Sequence, residues 1–150
     1  MAARSAGLLV YDVADGETVV LLVHPGGPFW ANTDDGAWSI PKGEHDPAED
    51  PLAAAYREFA EELGVAAPEG EPHPLGEITQ SGGKRVTAWA VGGHVDVEAI
   101  ASNTFEMEWP PRSGQRRQFP EVDRAAWFTL AQARVKLLAA QVALLDRLGA

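Results

Sequence analysis

Glu58, Glu61 and Glu62 fall in one short run, Arg57-Glu58-Phe59-Ala60-Glu61-Glu62. On a helix, at about 100° per residue, Glu58 and Glu62 stand one turn apart and Glu61 flanks them. Three carboxylates on one face repel each other. A hard divalent ion, Mg²⁺ or Mn²⁺, relieves that repulsion through oxygen ligands while leaving positions open for water and phosphate. Arg57 lies four residues before Glu61 and can fold back toward Glu49, bracing the array in one rotamer set. Just upstream, the Pro41-Lys42-Gly43 turn offers a glycine whose unusual backbone shape would present a main-chain carbonyl to the ion. Taken alone, the same side chains also suit a plain solvated helix face, with Arg57 and Glu61 an ordinary i, i+4 pair.

The element that must carry these groups is the best defined in the chain. In DPLAAAYREFAEELG, Asp50 is a good N-cap, Pro51 suits the first helical position and Gly64 the C-terminal cap. Leu52, Tyr56, Phe59 and Leu63 make a narrow apolar stripe for packing on a sheet, roughly opposite the acids. SAGLLVYDV and ETVVLLVHP read as strands joined by a hairpin at Ala-Asp-Gly, and the N-terminal run suits a first strand better than a signal peptide. Residues 25–37 read as a loop, and 38–40 as a short strand stopped by Pro41. Further strands are expected at 74–80, 84–91, 103–109 and 125–128. One amphipathic helix is expected over 130–148, with Leu138, Val142, Leu145 and Leu148 buried. This order predicts a single mixed α/β (α+β) layered domain over residues 1–150.

The chain carries 22 acidic against 12 basic side chains, a net charge of −10, which excludes non-specific binding to nucleic acid polymers or an anionic membrane. An acidic protein can still bind a polyphosphate through a bridging divalent cation. No apolar run approaches the roughly 20 residues of a membrane span. With no cysteine there is no disulfide framework, thiolate metal site or cysteine nucleophile, and a cytoplasmic setting is expected.

The full pattern reads Gly43, five residues, Glu49, seven residues, Arg57-Glu58-Phe59, one residue, Glu61-Glu62, one residue, Gly64-Val65. It resembles the Nudix box at every specified position. Seven polar or glycine positions at about 7% usage each make a chance match at one register rarer than about one in 10⁷. The resemblance implies a Nudix fold, a mixed β-sheet sandwiched between α-helices. It implies a Mg²⁺ (or Mn²⁺) site at Glu58, Glu61 and Glu62, oriented by Arg57 and Glu49 and completed by the carbonyl around Lys42–Gly43. The implied reaction is hydrolysis of a phosphoanhydride bond in a nucleoside diphosphate derivative.

The general base is open between a box glutamate and a later one. Glu108 and Glu106 are the later candidates, because they alternate with Phe105, Met107 and Trp109 and so share one strand face. Surface strand positions would look the same. Lys42, Lys84, Arg85, Arg112, Arg116 and Arg117 can contact phosphate, and Trp109, Trp30 and Phe29 can stack on a base. Lys42, Arg85 and Trp109 are preferred as substrate contacts, although exposed cations and packed aromatics need no ligand. His24, His45, His73 and His94 show no metal-ligand spacing and receive no catalytic role.

The approach WSIPKGEHDPAED is similar to that of diadenosine polyphosphate hydrolases, with nucleoside triphosphate pyrophosphohydrolases close behind. SGGKRVTAWAV and NTFEMEWPPRSG resemble a bacterial group of predicted NTP pyrophosphohydrolases. ADP-ribose and other sugar nucleotides remain alternatives, as does a non-catalytic nucleotide sensor, which loss of a box carboxylate would favour. A purely structural acidic domain would leave the clustered carboxylates without a reason. A small-molecule nucleotide is the expected partner, and the chain is expected to be a monomer or a homodimer.

Overall fold

The two apolar runs near the N-terminus pair as β1 (Arg4–Ala14) and β2 (Glu17–Pro25), joined through Asp15 and Gly16. The computed structural model describes residues 4–148, so the two ends of the expected domain lie outside the described residues. Both strands are central and buried on both faces, which is why they read as continuous apolar runs. Their side chains alternate between two cores. Ala6, Leu8, Val10, Leu21 and Val23 face one side, and Leu9, Val20 and Leu22 face the other.

The main sheet runs β4-β5-β1-β2-β8, where β4 is His73–Thr79, β5 is Arg85–Gly92 and β8 is Val122–Thr129. β1 and β5 are parallel and the other neighbours antiparallel. A third strand, β3 (Lys42–Glu44), pairs with Ser5–Gly7 on the same edge of β1 that β2 uses further along, at Tyr11–Ala14. That edge therefore forks, and residues 37–40 wedge into the fork through a single bridge between Val23 and Ser39.

Helix α1 (Pro51–Leu63) covers one face, burying Ala54, Ala55, Phe59 and Leu63. Of the expected stripe, Leu52 and Tyr56 are only half-buried, because the two alanines let the helix approach β1 closely. The other face is covered by α2 (Leu130–Lys136) and α3 (Val142–Leu148). This is the expected sandwich of a mixed sheet between helices. Among the described residues no helix is long and apolar enough to cross a membrane.

Five expectations are corrected. Within residues 38–40, Trp38 and Ser39 form isolated bridges rather than a strand, and the turn expected at Pro41-Lys42-Gly43 opens directly into β3. Arg116–Pro120, not anticipated at all, is strand β7, which pairs with β6 (Thr104–Glu108) in a separate two-stranded sheet. β8 is longer than the 125–128 expected. The helix expected over 130–148 is broken: Leu137 and Leu138 are extended, with ψ of 149° and 135°.

The break has a physical cause. Trp38 N–H donates to the Lys136 carbonyl at 2.9 Å, and Leu138 N–H donates to the Trp38 carbonyl at 2.8 Å. A continuous helix would use those groups internally. The break shifts the helical phase, so Leu137, Gln141, Leu144 and Leu145 are buried, whereas Leu138, Val142 and Leu148 are half-buried.

Candidate functional site

Helix α1 presents the acids because its ends are fixed. The Asp50 carboxylate accepts from Ala53 N–H at 3.0 Å, Pro51 needs no N–H partner, and Gly64 closes the helix at φ 70°. On the resulting face Arg57 holds both oxygens of Glu49, donating from Nε at 2.7 Å and from Nη2 at 2.9 Å. Its Nη1 donates to Glu58 at 2.9 Å and to Glu61 at 3.0 Å. The brace read from the spacing is thus present, and one guanidinium organises three carboxylates. Its hydrogen bond holds the Glu49 carboxyl below the usual range, and Arg57 is correspondingly harder to deprotonate.

Gly43 is needed for space. It lies in β3 opposite Ala6, without the left-handed backbone that the sequence alone suggested. A Cβ there would sit 1.9 Å from Glu58 Oε2. The bare backbone lets β3 lie directly against the carboxylate of α1.

Glu62 points into a cleft of about 230 Å³ at the fork of β1, lined by Val23, Pro25, Ser39, Lys42 and Glu121, with Trp30 at its rim. Burial is the main cause that pushes its carboxyl up to about 8, opposed by Lys42 and reinforced by the charges of Glu121 and Glu58. Glu58 is raised for the same first reason, with Arg57 opposing and Glu61 and Glu121 adding repulsion. Burial also lowers Lys42, helped by Lys84 nearby. The cleft is a desolvated acid cluster with one ammonium group beside it.

Glu121 is the residue the sequence reading missed. It occupies the one-residue link between β7 and β8, and an acid directly after Pro120 at a strand switch was the only signal on offer. Glu106 and Glu108 share an exposed strand face as expected, but β6 belongs to the separate hairpin. Glu106 pairs with Arg116, and Glu108 accepts from the Arg112 backbone N–H at 2.7 Å. Glu121 lines the cleft, and Glu106 and Glu108 do not.

The other anticipated contacts divide. Lys42 is in the cleft, whereas Lys84 lies outside its lining, 3.3 Å from Glu44. Arg85 instead leans toward Glu77, 3.9 Å away, and Arg117 stands opposite Met107 in the hairpin. Trp109 packs edge-on against Phe29, with ring centroids 5.6 Å apart. Next to the cleft lies a second, apolar pocket of about 420 Å³, formed by the 26–30 loop with Phe105 and Met107. Pro25, Trp30 and Glu121 line both spaces, so the two are adjacent.

Among the described residues no three acidic or imidazole side chains are already closed around one point. The donor set nevertheless fits a hard divalent cation: half-buried carboxylates, raised by desolvation and mutual repulsion, against a glycine that leaves room for one of them.

No curated protein sequence is significantly similar to this chain. Among solved structures, the C. elegans Ap4A hydrolase binary complex superposes with a TM-score of 0.68 at 23% identity, over 99% of this chain and 96% of the other. The NUDIX domain of Shewanella oneidensis NrtR, complexed with ADP ribose, gives 0.66 at 18% identity, over 99% and 87%. The MutT protein from Methanosarcina mazei Go1 gives 0.62 at 20% identity, over 99% and 93%. At these identities the likeness establishes the fold. The NUDIX domain family model matches residues 1–148, box included. With the fold, the box and its Arg57-braced carboxylates in agreement, the chain belongs to the NUDIX domain family.

Proposed function

We propose that the enzyme hydrolyses a phosphoanhydride bond in a nucleoside triphosphate or a diadenosine polyphosphate, with Mg²⁺ or Mn²⁺ as its cofactor. The observation that carries this reading is the adjacency of an acidic cleft and an aromatic pocket, which share Pro25, Trp30 and Glu121. Such a pair of spaces suits a molecule with a polyphosphate at one end and a flat ring at the other. The structural likeness to an Ap4A hydrolase supports the diadenosine member of the pair.

Glu58 and Glu62 would hold the cation, with Glu61 beside them and the Lys42–Gly43 carbonyl region as further oxygen donors. When bound, the ion supplies positive charge against phosphate oxygens and acidity to water. Arg57, anchored on Glu49, fixes the rotamers of Glu58 and Glu61. The Lys42 ammonium faces the cleft and pairs with a phosphate oxygen. Glu121 stands across from Glu58 and Glu62 and is the carboxylate placed to accept a proton from the attacking water. The 26–30 loop, with Phe105 and Met107, receives the base by stacking.

Ion-exchange analysis of products after incubation with Mg²⁺ tests this. The panel is diadenosine tetraphosphate, the common nucleoside triphosphates and ADP-ribose, with an EDTA control. Cleavage of the first two classes, abolished by EDTA, is expected. Cleavage of ADP-ribose alone would move the substrate to sugar nucleotides, and binding without turnover would make the chain a sensor.

A further inference from the structure

His24 is the only fully buried histidine among the described residues, and the role proposed above does not use it. Its Nδ1 lies 2.8 Å from Asp123 Oδ1, and its Nε2 lies 2.5 Å from the Thr33 carbonyl. A carbonyl oxygen only accepts, and so does an ionised carboxylate. Asp123, with 31% of its side chain exposed, is the carboxylate partner. The ring therefore needs a proton on both nitrogens to make both bonds. A neutral imidazole would turn a lone pair toward one of the two oxygens.

The backbone is arranged for this contact. β2 and β8 pair His24 with Arg124 and Pro25 with Val122, and the register shifts between them, so Asp123 is the extra residue of a bulge. A bulge re-aims the side chain it carries. Two residues earlier in the chain is Glu121, whose carbonyl accepts from Gly26 N–H at 3.0 Å. The loop carrying Phe29 and Trp30 is thus clipped to the 121–123 segment at both ends, by Gly26 directly and by Thr33 through His24. The neighbouring charges are few. Arg124 Nε is 3.6 Å from the same Asp123 oxygen, and its guanidinium lies over Trp38, which meets His24 edge-on. Asp34 accepts from Trp38 Nε1 and pairs with Lys136 beyond it.

We propose that His24 is a positioning residue which, as an imidazolium, clips the Trp30 loop to the Glu121–Asp123 segment and so sets the width of the aromatic pocket. The inference rests on the reading of that pocket as part of the substrate site. Losing either of the two bonds loosens the clip and weakens substrate binding, while the carboxylates on α1 are untouched by the change.

The test begins with the intact protein. Imidazole ¹⁵N NMR should show both His24 nitrogens protonated near neutral pH, and a singly protonated ring there would overturn the proposal. His24→Gln and Asp123→Asn should each raise KM about tenfold, the worth of roughly one charge-assisted hydrogen bond, with kcat within about twofold. Should His24→Gln fail to fold, Asp123→Asn and the ¹⁵N spectrum of the unmodified protein decide. Trp30→Ala separates the two levels of inference. If it raises KM while both clip variants leave KM unchanged, the positioning role is wrong. If Trp30→Ala itself leaves KM unchanged, the pocket does not bind substrate and the functional reading fails first.

Discussion

The backbone of Gly43 forms the floor on which the Glu58 carboxylate rests, so strand β3 and helix α1 touch through a residue with no side chain. The contact converts the first glycine of the box into a geometric requirement for a carboxylate fifteen residues later.

Gly43→Ala should displace Glu58 and lower kcat by about 10²-fold, the typical penalty for an ångström-scale misplacement of a catalytic group. Circular dichroism should show the fold retained. Unchanged kcat would mean that Glu58 can move without consequence.

Arg57→Lys keeps the charge and loses the fork that holds Glu49 in two places. The expected result is a fall in kcat of about tenfold or more. The stability loss should be only about 0–1 kcal/mol, because the pairs are partly exposed. Steady-state kinetics and thermal melting separate the two effects, and a large melting shift with normal kcat would make the brace structural.

Glu62→Gln removes a carboxylate that burial disfavours. Turnover should be lost, while the melting temperature in EDTA should be equal to or above that of the unmodified protein. A lower melting temperature would show that the carboxylate is satisfied within the fold.

Asp34→Asn tests how the loop is fixed to α2. Hydrogen bonds from Lys136 and then Trp38 hold the Asp34 carboxyl below its ordinary 3.8. A depressed folded value means that the stabilisation is present above 3.8 and is lost as pH falls through the folded value. Melting curves across pH should show the variant less stable at neutral pH, with the gap closing in acid. A gap independent of pH would assign the effect to something other than the charge.

Gln141 is fully buried, accepting from Ile40 N–H at 2.9 Å and donating to Ser39 Oγ at 3.0 Å and Gln80 Oε1 at 2.8 Å. Gln141→Leu leaves those groups unpaired and should cost about 1–3 kcal/mol in denaturant unfolding. A smaller loss would mean that water replaces the amide.

What could be read from the chain alone follows from how local each signal is. The α1 caps, the Arg57–Glu49 brace and the carboxylate face depend on spacing within one helix, and all are present in the structure. The C-terminal break was invisible because it depends on Trp38, a hundred residues away, competing for backbone groups that periodicity assigns to a helix. β7 was missed because only Phe119 in Arg-Arg-Gln-Phe-Pro is even half-buried, which leaves no alternation to detect. Glu121 was missed for a related reason: it gains its surroundings from a strand crossing that no local pattern announces.

The forked edge of β1 has a further consequence for how such a protein can diverge. The carboxylates hang from β3 and α1 on one prong, and the aromatic loop hangs from β2 and β8 on the other. Substitutions between Gly26 and Thr33 can reshape the apolar pocket without moving the carboxylates on α1. Ancestral and present-day versions of the chain could therefore exchange ligands while keeping one chemistry, with the split in a single strand's pairing acting as the seam.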